Sequence, residues 1–218
     1  MSEVMITVRG THEERVAPER ATVTLAVSLD GAEHAEVVTR TLALAEPVRR
    51  SIEARVATGT IKTWSSGRLA VRAERPWTND GSRPPLVHHA SLDFTATFSD
   101  PDEVSSWVHE MSVLEGVGIS ATEWTLTSPT RDMVSQRVAA GAVRDAVARA
   151  SAYAQALGLS TVVALDVADA GLLGQGGSAD SAPRAMRAFA SAPSADAVEL
   201  RGEDIVVSAT VDARFVAR

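Results

Sequence analysis

The 218-residue chain contains no cysteine. That absence excludes disulfides, thiolate nucleophiles and zinc–thiolate sites. Lysine is nearly absent too, with Lys62 alone against twenty arginines. Acidic residues outnumber basic ones, 28 to 21, for a net charge of −7. A pI near 5.3 argues against general binding of nucleic acid or an anionic membrane. No run approaches the ~20 apolar residues of a membrane helix, so no membrane span is expected. The opening Met1-Ser2-Glu3-Val4-Met5-Ile6 has no basic segment leading into an apolar one, so the expected location is cytoplasmic. What remains is ordinary for a globular protein: 45% hydrophobic and 22% charged residues. The length suits a single domain, 1–218, burying roughly 70% of its unfolded surface.

Periodicity divides the chain into segments. Residues 4–9 and 20–29 alternate as half-buried strands around Pro18. Residues 32–56 turn to helical spacing through Val38, Leu42, Ala45, Val48, Ile52 and Val56. Pro47 predicts a kink or break there, since an interior proline costs about 3 kcal/mol. Residues 60–74 and 86–98 read as a hairpin pair around a turn-rich connection that contains Trp77. Asp100-Pro101-Asp102-Glu103 has the pattern of a capping box before the apolar stripe Val104, Trp107, Val108 and Met111. A strand over 117–127 precedes the longest helix, 129–157. Its expected buried face is Val134, Val138, Val143, Val147, Ala150, Ala154 and Leu157, with Gly158 as its cap and Leu159 supplying the accompanying contact. Heavy alanine usage, as in a GC-rich coding sequence, weakens alanine as a marker of the core. Strands over 161–168 and 204–216 flank a Gly/Ser/Ala/Pro-rich stretch, 173–197, expected to be the most mobile part of the fold. The order β-β-α-β-β-α-β-α-β, with the last strand in one or two pieces, predicts α+β: a mixed or antiparallel sheet packed against helices.

No segment carries an evident reaction. Gly171–Ser178 has P-loop spacing, but Gly177 occupies the lysine position, so a flexible loop is the simpler reading. His88 and His89 point to opposite faces of a strand and cannot chelate one ion together. His88, on the apolar face, is expected to be buried and hydrogen-bonded. His12-Glu13 and His109-Glu110 lack a second histidine, and there is no GxSxG elbow. Arg49-Arg50 and Arg72 with Arg75 read as solvated faces. Asp100 and Asp102 read as helix-capping carboxylates. Among the tryptophans, Trp107 belongs in the core, Trp124 in core or interface, and an exposed Trp77 would need explaining. We therefore expect no catalytic residues, no bound cofactor and no metal. The enzymatic alternative is a hydrolase using His89, Ser91 and Asp93 on one strand face. A third reading is a nucleotide binder using 171–178.

Taken in order, these segments resemble the SIMPL-domain (YggE-like) family. Ile6-Thr7-Val8-Arg9-Gly10 with Val16-Ala17-Pro18-Glu19-Arg20-Ala21 is similar to its opening strand pair, with Glu19 where aspartate is usual. Thr60-Ile61-Lys62-Thr63 sits at a family strand start. Ala139, Ala142, Ala146, Ala150, Ala152 and Ala156 before Leu157-Gly158-Leu159 resemble its alanine-spaced helix. Arg201-Gly202-Glu203-Asp204-Ile205 leads into a similar closing strand. The resemblance implies an α+β domain without an established reaction and supplies no catalytic motif. Its bacterial members are often exported and linked to the envelope or to oxidative stress, and some form ring- or channel-like oligomers. An animal relative is an adaptor for a kinase. The expectation is therefore a non-enzymatic assembly or protein-binding module, forming a homo-oligomer. The strands at 86–98 and 204–216 are expected to present the edges, and Thr22, Thr24, Thr95, Thr97 and Trp124 an open sheet face.

Overall fold

The computed structural model describes residues 3–77, 79, 83–173 and 200–218. In chain order its elements are β1 (Val4–Val16), β2 (Arg20–Gly31), α1 (His34–Thr58), β3 (Ile61–Ser66), β4 (Ala70–Glu74) and β5 (Val87–Phe98). Then come α2 (Glu103–Ser112), β6 (Val117–Thr125), α3 (Ser128–Ala156), β7 (Val162–Asp169) and β8 (Ile205–Ala217). The sheets are antiparallel throughout, and the class is α+β. By its contacts the chain divides into two compact units. Unit 1 takes Met1–Val16, Thr127–Ser194 and Asp204–Arg218, and unit 2 takes Ala17–Leu126 and Ala195–Glu203. No helix among the described residues is long and apolar enough to cross a membrane.

Unit 2 holds a five-stranded sheet, β3-β5-β2-β6, with β4 also paired to β5. The expected single strand over 60–74 is two strands. Gly67 leaves the ladder and its N–H donates to the Asp93 carbonyl at 2.8 Å, so β3 and β4 follow one another along the same edge of β5. Alternation along β2 and β5 sends Ala21, Val23, Leu25 and Val27, with Phe94, Ala96 and Phe98, into one core with Trp107 and Met111. Trp107 is fully buried. Its ring sits 5.1 Å from that of Phe98, and its indole N–H donates to Ser51 Oγ at 3.2 Å.

Helix α1 runs unbroken through Pro47. Buried Ala45, Val48 and Ile52 on either side of the proline offset its missing bond. The buried face is Val37, Thr41, Ala45, Val48 and Ile52, whereas Leu42 and Val56 lie exposed. Thr41 fits this face because its hydroxyl donates to the Val37 carbonyl at 2.8 Å. Helix α2 begins at Glu103 without a side-chain cap on Asp102. Instead of forming a capping box, Asp100 Oδ1 accepts the Asp102 N–H at 3.0 Å.

Unit 1 is a three-stranded sheet, β1-β8-β7, under α3. β1 and β8 pair over their full thirteen residues, Val4 with Ala217 through Val16 with Ile205. Their α3-facing side chains Ile6, Val8, Val211, Ala213 and Phe215 meet Ala142, Ala146, Ala150 and Ala154. Val134, Val138, Ala150 and Ala154 are buried as the spacing predicts, but Ala142 and Ala146 take the places expected for valine: Val143 is half-buried, and Val147 and Leu157 are exposed. The cause is distance. A Cβ on Gly10 would lie 2.1 Å from the Ala142 carbonyl oxygen, so only small residues let the helix come this close. Gly158 closes α3 at φ +76°, the Leu159 N–H donates to the Ala154 carbonyl at 2.9 Å, and Leu159 packs on this core.

Candidate functional site

The polar face of β5 is the surface on which the hydrolase reading depends. Antiparallel pairing places His89 opposite Asp30 of β2 and Arg72 of β4, Ser91 opposite Ser28 and Ala70, and Asp93 opposite Ala26. His89 Nδ1 lies 2.6 Å from Asp30 Oδ1. Its Nε2 lies 3.3 Å from Glu74 Oε1, outside hydrogen-bond alignment but close enough for an ion pair when the ring is protonated. Both nitrogens therefore face carboxylates, and neither faces Ser91. Residues two apart on one strand stand about 7 Å apart, so Ser91 has no base within reach on its own strand. Further along this face the Thr22 and Thr97 hydroxyls meet at 3.1 Å. Trp124 is not part of it. It pairs with Ala21 on the helix-covered face, half-buried, its ring so close to Gly202 that a Cβ there would lie 2.6 Å from it.

Other candidates separate. His88 is half-buried, and among the described residues its Nδ1 has no hydrogen-bond partner, contrary to the bonded histidine expected; its ring meets that of His34 edge-on at 5.5 Å. Arg49 and Arg50 are held by Glu46, with Glu53 also on Arg49. These bonds keep the Glu46 carboxyl below its ordinary range, Arg49 first and Arg50 next. The pair is a solvated helix face, as read. Arg75 donates to the Pro84 carbonyl, and Trp77 is 84% exposed. Of the Gly171–Ser178 stretch, residues from 174 on lie outside the described residues, as does nearly all of 173–197.

Two arrangements in unit 1 had no signal in the sequence. Arg9 of β1 grips Asp212 of β8 with two nitrogens, at 2.8 and 3.2 Å, and Asp212 also accepts the Gly171 N–H at 2.8 Å. The Arg9 hydrogen bond first, then that of Gly171, holds the Asp212 carboxyl below its ordinary range. Asp145 of α3 reaches over β1 and accepts the Thr11 N–H at 2.9 Å. The strands read as edges are not edges. β5 lies between β2 and the β3/β4 pair, and β8 lies between β1 and β7. The outer strands of unit 1 are β1 and β7. Along β7, Val163, Leu165 and Val167 are 41%, 51% and 49% exposed.

The family profile named SIMPL, described as a protein of unknown function (DUF541), matches residues 6–215. A search of curated proteins finds no match.

Proposed function

The chain belongs to the SIMPL family, and from that premise we propose that it is a non-enzymatic module that assembles with copies of itself or binds another protein. One observation carries the reading: apolar side chains collect on the outside of unit 1. Met5 and Val163 both pair with Val216, forming an apolar row across all three strands on the face turned away from α3. Met5 is 62% exposed, and Leu165, Leu172 and Val206 extend the exposed apolar surface of this unit. Monomers rarely leave such residues together in water. The polar face of β5 supports the same reading, because its histidine bonds Asp30 through Nδ1 and turns Nε2 toward Glu74 rather than toward Ser91. Light scattering coupled to size exclusion tests the proposal. A mass at a discrete multiple of 22.9 kDa, retained in His89→Ala, is expected; a mass of 22.9 kDa up to high micromolar concentration contradicts assembly.

A further inference from the structure

The two outer edges of the unit 1 sheet are treated differently. On β1, Asp145 occupies the Thr11 N–H, a donor that an incoming strand would need. On β7, among the described residues, every ladder bond goes inward to β8. The strand contains no lysine, arginine or proline, the residues that commonly blunt an edge. Of its two aspartates, Asp166 is already turned to Arg214 at 3.5 Å. Val147, about 200° round α3 from Asp145 and so on the flank away from β1, is 42% exposed and widens the apolar margin.

The register of β7 makes it complementary to itself. A bulge at Leu165, between Ala164 and Asp166, reverses the alternation halfway along the strand. Val162, Ala164, Val167 and Asp169 pair with Ala217, Phe215, Ala213 and Val211 on the α3 face. Val163, Asp166 and Ala168 pair with Val216, Arg214 and Asp212 on the other. Turn a second β7 antiparallel, so that Val162 meets Asp169, Val163 meets Ala168 and Ala164 meets Val167. Every one of those pairs then has both side chains on one face, as an antiparallel ladder requires. An unbulged strand in that register would set each side chain against one from the opposite face. No aspartate opposes an aspartate.

We infer that β7 is the self-association edge of this protein, pairing antiparallel with β7 of a second copy about a two-fold axis between Leu165 and Asp166. The inference rests on the assembly reading and adds its partner and register. The pairing is isologous and closed: it joins two three-stranded sheets into one of six, with the Asp145-covered β1 strands outermost. Eight residues span about 27 Å, and one strand pair buries less than the ~800 Å² per partner of a standard interface. The dimer is therefore weak, in the micromolar range.

Because the chain has no cysteine, introduced ones report without background. Ala164→Cys protein mixed with Val167→Cys protein should form a disulfide-linked dimer under mild oxidation, while each variant alone should link far less. Leu165→Lys, at an exposed position, should leave the circular dichroism unchanged and raise the dimer Kd by about tenfold or more. A multimeric mass that Leu165→Lys leaves untouched, with no 164–167 link, overturns the β7 edge but keeps the assembly reading. A chain that stays at 22.9 kDa and never links overturns both, and leaves the edge to a foreign strand.

Discussion

Unit 2 and unit 1 each lay helix on one face of an antiparallel sheet, but they fill the space between differently. In unit 2 the filling is large: Trp107, Phe94, Phe98, Leu25 and Ile52 are buried at 2% exposure or less. In unit 1 it is small: Gly10 and four helix alanines line the approach, and among the described residues Phe215 and Ile6 are its large buried side chains. Large side chains gain stability from apolar area; close approach gains it from density and tolerates no added atom. A thin core also covers less. Ten of the sixteen exposed large hydrophobic residues described lie in unit 1, which leaves that unit more apolar surface for a partner to cover.

Substitutions should separate the two kinds of core. The largest expected effect is Trp107→Ala, which empties the centre of unit 2 and should cost about 3–5 kcal/mol in urea titration. Next is Gly10→Ala. Its Cβ meets the Ala142 carbonyl oxygen at 2.1 Å and the Ala146 amide nitrogen at 2.6 Å, so α3 must shift away. A cost of about 1–3 kcal/mol follows, and proteolysis should open unit 1 first. A cost near zero would show that the approach is not tight. In unit 2, by contrast, a methyl lost from the core is felt and a small polar change on the open face is not.

The contrast also explains what could be read from the sequence. Strands were legible because alternation in 20–29, 86–98 and 204–216 reports which side chains share a face. Strand order is not legible, because alternation carries no information about neighbours, and β5 and β8, long enough for edges, lie inside their sheets. Helix faces slipped for two reasons. Thr41 conceals a buried position by satisfying its own hydroxyl, and Ala142 and Ala146 of α3 are core because Gly10, more than 130 residues away in the chain, allows the approach. In the candidate site, the polar face of β5 was legible from the period. The Asp30 partner of His89 was not, lying 59 residues away in sequence.

Smaller effects sharpen the account of the unit 1 edges. Asp145→Ala should free the Thr11 N–H at a cost of about 1 kcal/mol, read as faster hydrogen exchange confined to the middle of β1. Unchanged exchange there would mean that the helix does not cover that edge. The smallest effect concerns acid. The Asp212 carboxyl is depressed by Arg9 and Gly171, so the stability it adds is present above the unfolded carboxyl value, near pH 4, and is lost as pH falls through the lower folded value. Asp212→Asn should lower the thermal midpoint slightly at neutral pH, and the gap from wild type should close in acid. A gap that widens in acid would reverse the assigned sign.

Hydrogen exchange followed against protein concentration tests the central claim most directly, because it reads each strand edge separately. Peptides spanning 162–169 should gain protection as concentration rises through the micromolar range, while those spanning β1 and β6 stay unchanged. Protection that is independent of concentration in β7, or that rises in β1 or β6 instead, would contradict the account.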